Sequence, residues 1–293
     1  MGRLQAGFGV SQRRACRVLG QPRATQRLKP ADRSAGEGLV KRVLELARMN
    51  PRFGYRRTWA LLRQEGWKVN RKRVHRLWRE QGLKVPQKQR KRRRLGTAAN
   101  GCVRHRAERR GQVWAWDFVH DRTADGRPLK WLSVVDEFTR ECVALEVRRG
   151  MTAGVVVGIL AGLVRERGAP AHVRSDNGPE FIAEAIRGWL ARAGVAALYI
   201  EPGSPWENGY AESFHSRLRD ELLDREEFAS LLEAQVLGRE WRQAYNHERP
   251  HSSLGYRTPA AFAAGCQSAD SAALRRPTDT AVVTDPTLIA AGT

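Results

Sequence analysis

Residues 84–101, KVPQKQRKRRRLGTAANG, constrain this 293-residue chain more than any other stretch. A run of Lys and Arg cannot be packed together in an apolar interior, so the chain cannot fold continuously through it. The run is therefore read as a linker that tracks phosphates, and it divides the sequence. Residues 1–100 hold 28 Lys and Arg against five acids, so of the formal charge of +21 the rest of the chain carries −2. One part is built to sit on a polyanion and the other is nearly neutral. No apolar run reaches the ~18–20 residues of a spanning helix, and the N-terminus lacks a signal-type apolar core. Nucleic acid, and not an anionic membrane, is the expected partner, and the expected place is the cytoplasm. Four cysteines without a CxxC pair argue against both a disulfide framework and a zinc ribbon.

Upstream of the linker, residues 37–83 read as three helices. Leu39, Val43, Leu46 and Ala47 recur at helical spacing before the Asn50-Pro51 stop. YRRTWALLRQEG follows with an apolar stripe ending at Gly66, and Asn70 is placed to cap a third helix that closes at Gly82. On that helix Val74, Leu77 and Trp78 face inward, leaving Arg71, Lys72, Arg73, Arg76 and Arg79 outward. A basic second helix after a short turn suits major-groove docking, and Arg56 and Arg57 on the preceding helix join the expected DNA contacts. Residues 1–36 form a basic segment in which SQRRACRVLG reads as a short helix.

Downstream the periodicity changes from helical to alternating. In VWAWDFV, Val113, Ala115, Asp117 and Val119 share one face, and Trp114, Trp116 and Phe118 the other. Two further strands complete a three-stranded meander. A buried helix ending at Gly168, a strand, a helix, a strand and a long helix from about Asn208 through Leu223 follow. This β-β-β-α-β-α-β-α order predicts a mixed five-stranded sheet covered by helices. Asp117 lies within the first strand, Asp176 ends the fourth, and Glu212 falls on the first turns of the last helix. Asn208, Glu212, Ser216 and Arg219 run along one ridge of it.

The stretches WDFV, SDNGPEF and SPWENGYAESFHSRLRDEL resemble the DDE transposase and retroviral-integrase superfamily. The blocks FGYRRTWALLRQEGWKVNRKRVHRLWREQGL and YNHERPHSSLGYRTPAAF are similar to the second-reading-frame transposase of the insertion-sequence-three family. Together these cover roughly residues 40–265. The resemblance implies an α/β fold, a ribonuclease H-like core preceded by an all-α helix-turn-helix domain. The expected boundaries are 1–36, 37–83, a linker at 84–108, a catalytic domain at 109–265 and a flexible tail at 266–293.

The resemblance further implies Asp117, Asp176 and Glu212 as a catalytic, metal-binding triad, with Arg219 as the basic residue after the third acid. Asn177 and Asn208 are expected to support the triad. Three converging carboxylates repel by roughly 4 kcal/mol per close pair at an effective dielectric near 20, so the cluster makes sense only around cations. Hard oxygen donors select two Mg²⁺ ions, with Mn²⁺ able to substitute. The implied activity is metal-dependent cleavage at insertion-sequence ends and 3′-hydroxyl strand transfer, that is, DNA integration and recombination. A ribonuclease H-like nuclease that does not join, and a DNA-binding regulator with an inactive core, are the competing readings. The resemblance implies double-stranded DNA, at element ends and target, as the partner at the nucleoid, bound by a homo-oligomer, with the upstream-frame protein, or a frameshift fusion to it, as a further partner.

Other residues are read as structural. Asp136 is expected to form a strand-end salt bridge with Arg140, and Asp220 and Glu221 are expected to be solvated. His215 stands roughly 300° around the helix from Glu212 and is not needed by the triad. His247, Arg249 and His251 are read as part of a hydrogen-bonded cap packed on the core.

Overall fold

A computed structural model describes residues 2–27, 34–85, 106–175, 184–199 and 209–273. It divides into two compact units, Met1–Lys84 and Val85–Thr293.

The first unit begins with three short helices, α1 (Gly2–Phe8), α2 (Gln12–Val18) and α3 (Arg23–Arg27). The Ser11 side chain caps α2 by accepting from Arg14 N. Then come α4 (Ser34–Met49), α5 (Tyr55–Gln64) and α6 (Arg71–Glu80). Leu39, Val43 and Leu46 of α4, Leu62 of α5, and Val74 and Trp78 of α6 are buried, so each expected apolar stripe faces inward. Asn70 Oδ1 accepts from Lys72 N at 2.8 Å, the cap expected at that position. Trp59 donates its indole N–H to Val69 O at 3.0 Å, which holds the turn between α5 and α6.

The second unit carries β1 (Val113–Arg122), β2 (Pro128–Asp136) and β3 (Cys142–Arg148) as an antiparallel meander. After α7 (Ala153–Arg167), β4 (His172–Ser175) pairs parallel to β1. After α8 (Glu184–Arg192), β5 (Ala196–Tyr199) pairs parallel to β4. The sheet order is β3-β2-β1-β4-β5, the expected mixed five-stranded sheet. The last helix of the expected series is α9 (Gly209–Leu218), which opens into a π-helical turn at Arg219–Leu223 rather than continuing as α-helix. In that wider turn both Leu222 and Leu223 are buried. Two more helices follow, α10 (Leu231–His247) and α11 (Pro259–Ala273). Residues 266–273 are thus helical, where a patternless tail was expected.

The strand alternation of β1 separates two cores. Trp114 and Trp116 enter one with Val156, Leu160 and Leu163 of α7 and Ile186 of α8. Val119 enters the other with Trp131, Phe214 and Leu218 of α9, and Ala234 and Tyr245 of α10. Only one stripe of α7 is buried, so it is a covering helix and not a buried one. Gly238 lets α10 approach Trp131 closely.

The end of α10 and the segment after it are tied to the core as expected. Asn246 Oδ1 accepts from Cys142 N and its amide donates to Cys142 O, both at 2.9 Å. Arg249 donates two hydrogen bonds to Glu221, at 2.8 and 2.7 Å. Glu221 is therefore not solvated: it is the buried partner that anchors this segment to the π turn. Asp136 also departs from expectation. Its carboxylate accepts from the backbone of Gly111, Phe138 and Thr139, while the Arg140 guanidinium stacks 3.8 Å from the Tyr210 ring. Asp136 closes the β2–β3 turn through backbone donors, which such a short acidic side chain reaches without a long cation. A buried ion pair, Arg174 Nε to Glu137 Oε1 at 2.8 Å, ties the end of β4 to the same turn. Among the described residues, no helix is long and apolar enough to cross a membrane.

Candidate active site

Asp117 lies on the face of β1 that α9 covers, because strand alternation puts it with Val119. It is half-buried, and Oδ1 accepts from its neighbour Phe118 N at 2.7 Å. Directly opposite in register stands Ser133 of β2. Ser133 Oγ donates to Asp117 O at 3.2 Å and lies 2.7 Å from His215 Nε2. The other imidazole nitrogen, Nδ1, is 3.5 Å from Asp117 Oδ2. On the parallel side, β1 runs beside β4 with Ala115 opposite Arg174, and β4 ends at Ser175.

Glu212 occupies the first turn of α9 and is exposed. Ala211, Phe214 and Leu218 bury the opposite side of that helix. His215 is three residues past Glu212. Three steps of about 100° leave it only some 60° away in the other sense, so the two share one face. The reading that set His215 apart from Glu212 is thereby corrected: it lies on the Asp117 side of the helix. Burial, and next the charge of Arg219, push its pKa down to about 4, so the ring is neutral at ordinary pH. Arg219 is exposed, and its Nη2 donates weakly to His120 O at 3.5 Å.

Asp176, Asn177 and Asn208 lie outside the described residues. Among the described residues no group of three or more His, Cys, Asp or Glu side chains forms a cation site. The donors that are described fit a hard divalent cation in kind. Asp117 Oδ2 turns toward the helix that carries Glu212, and both are oxygen donors. In the first unit, Arg56, Arg71, Lys72, Arg73, Arg76 and Arg79 are exposed, while Arg57 is partly covered, with its guanidinium 5.0 Å from the Phe53 ring.

Ser133 and His215 are the residues at this site that sequence reasoning did not select. For Ser133 the signal was available only through strand register. For His215 it was the i, i+3 spacing from Glu212.

Residues 107–205 and 193–259 each match a family model described as integrase core domain, and residues 35–92 match an HTH-like domain. An insertion element IS476 protein of Xanthomonas euvesicatoria is 42% identical, over 87% of this chain and 73% of that one. An insertion element IS407 protein of Burkholderia multivorans is 40% identical, over 90% of this chain and 94% of its own length. Transposase InsD for insertion element IS2 of Escherichia coli is 28% identical, over 72% and 73% of the two chains. With its helix-turn-helix-like unit, its ribonuclease H-like core and these relatives, the chain belongs to the insertion-sequence-three family of DDE transposases.

Proposed function

We propose that this protein is a DNA transposase that cleaves the ends of its insertion element and joins the resulting 3′-hydroxyl to target DNA. The observation that carries this reading is the placement of Asp117 on the central strand beside the end of β4, with the Glu212 helix packed on the same face. Asp176 follows directly on β4 in sequence, and this reading counts it with Asp117 and Glu212. In this reading Asp117, Asp176 and Glu212 hold the cations. Two Mg²⁺ ions, replaceable by Mn²⁺, would polarise the attacking oxygen and neutralise the leaving one when bound.

The protein's own groups supply position and charge. In cleavage, water oxygen bonds to phosphorus as the P–O3′ bond breaks, and the proton lost by water leaves through solvent. In joining, the freed 3′-oxygen bonds to a target phosphorus as another P–O3′ bond breaks. One phosphodiester replaces another, so no ATP is required. Arg219, exposed one helical turn past His215, would contact the DNA backbone near the reacting phosphate. Asn177 and Asn208 would orient the acids. The helix α6, with Arg71, Lys72, Arg73, Arg76 and Arg79, would enter the major groove of the element end, with Arg56 and Arg57 against the flanking phosphates. Cleavage and joining at two ends need a homo-oligomer on DNA, with the upstream-frame protein or a fusion to it as an additional component. The reaction takes place on chromosomal DNA in the cytoplasm.

The test uses an oligonucleotide with the element end already nicked, a supercoiled target plasmid and Mg²⁺. Products in which the end is covalently joined to the plasmid support a transposase. Products that are only shortened would replace this reading with a hydrolytic nuclease.

A further inference from the structure

Arg140 holds a backbone conformation that its residue type disfavours. With a φ of 65° in the turn between β2 and β3, it lies in the left-handed region, where a Cβ crowds the following carbonyl and glycine is the usual occupant. The turn does not depend on that side chain for its closure. The Asp136 carboxylate binds Gly111, Phe138 and Thr139, and Arg140 N donates to Asp136 O at 2.9 Å, a bond that glycine would make equally well. What glycine would lack is the guanidinium, whose Cζ lies over the Tyr210 ring, 3.8 Å from its centroid. Strain kept where glycine would relax it is characteristic of functional positions.

Tyr210 is the second residue of α9 and Glu212 the fourth. Farther along, Phe214 and Leu218 are buried and His215 lies against Ser133. In the first turn the buried side chain is the small Ala211, and the N–H groups of that turn have no acceptors within the helix. Two positions apart, at about 200°, Tyr210 and Glu212 project to nearly opposite sides, so the guanidinium grips the turn from behind the carboxylate. A group ~5–6 Å from the helix axis moves by about 1 Å when the turn rotates by roughly 10°. Such a displacement can cost a catalytic group about a hundredfold in rate. We infer that Arg140 is a positioning residue: stacked on Tyr210, it fixes the first turn of α9 and with it the Glu212 carboxylate. This rests on the metal-holding role proposed above for Glu212. The strand β2 that leads into the Arg140 turn also pairs with β1 at Asp117, so one hairpin braces both acids.

The experiment follows full-length Arg140→Gly in Mg²⁺-dependent strand transfer, with Tm and affinity for element-end DNA measured on the same samples. Glycine relieves the left-handed backbone as it removes the guanidinium, so Tm should stay within about 3 °C of the wild type. The kcat should fall about 10–100-fold with KM for end DNA within about twofold, and the Mg²⁺ concentration for half-maximal rate should rise. Tyr210→Leu should reproduce this loss, whereas Tyr210→Phe, which keeps the ring face, should bring the rate to within about threefold of the wild type. Wild-type kcat in Arg140→Gly, or a loss of rate accompanied by an equal loss of DNA affinity or a larger fall in Tm, would overturn the positioning role while leaving Glu212 in place. Near-wild-type joining by Glu212→Gln would remove the reading of that acid, and this inference with it.

Discussion

Gly238 is where a single methyl group should do the most damage. It sits within α10 against the ring of Trp131, which is fully buried and packed on Phe228 with ring centroids 5.7 Å apart. A Cβ at position 238 would lie 2.6 Å from Trp131 Cζ3 and 3.1 Å from Cη2. Carbon pairs prefer about 3.5–4.0 Å, so either the helix or the ring must move by close to an ångström. Overpacking of this kind costs about 1–3 kcal/mol, against a gain of about 1 kcal/mol for replacing a mid-helix glycine by alanine. Gly238→Ala should be destabilising by up to about 2 kcal/mol, which for a unit of roughly 200 residues lowers Tm by up to about 6 °C.

The matched control is Gly158→Ala on α7. Its position is exposed and an added Cβ there meets nothing within 4 Å. With no clash to oppose it, the propensity gain should stabilise by up to about 1 kcal/mol. Thermal unfolding followed by circular dichroism reads both. Trp131→Phe removes the clashing ring atoms, so in its background Gly238→Ala should cost less than in the wild type. The packing argument is refuted if Gly238→Ala raises Tm, or if the two glycine variants shift it in the same direction by similar amounts.

Three further outcomes are expected. Glu221→Ala leaves the Arg249 guanidinium, 5% exposed, without its bidentate carboxylate. It should cost about 3–5 kcal/mol by urea unfolding, and the double substitution with Arg249→Met should cost less. Burial pushes the Cys142 thiol up to about 12. It should therefore resist an aromatic disulfide reagent at pH 8 in the native protein and react only on unfolding, and rapid native labelling would contradict its placement. Replacing Arg71, Lys72 and Arg76 together by Ala should reduce the slope of log affinity against log salt for element-end DNA by about 2–3. An unchanged slope would take α6 off the phosphates.

Much of this architecture is local and therefore legible in the amino-acid order. WAWDFV carries a strict alternation, so the faces of β1, and with them the side on which Asp117 lies, follow from the strand period. Asn70 announces α6 because its short side chain can reach the first free N–H groups of a helix. What escaped depends on partners distant in the chain. Ser133 meets Asp117 only through strand register, and Glu221 meets Arg249 only once α10 has folded back. A solvated acid and a buried one look alike in sequence until that return is known. His215 differs in kind: 300° around the helix from Glu212 is 60° in the other sense, so the i, i+3 spacing already puts both on one face. The π turn at 219–223 left no local mark, since its two adjacent buried leucines suit either helix type.

We propose that Asp117, Asp176 and Glu212 act together in DNA joining. The most direct test is the strand-transfer rate of Asp117→Asn, Asp176→Asn and Glu212→Gln in Mg²⁺, alongside their affinity for element-end DNA. Each variant should lose at least about a thousandfold in rate while binding DNA within a few-fold of the wild type. Near-wild-type joining by any one of them would contradict the account.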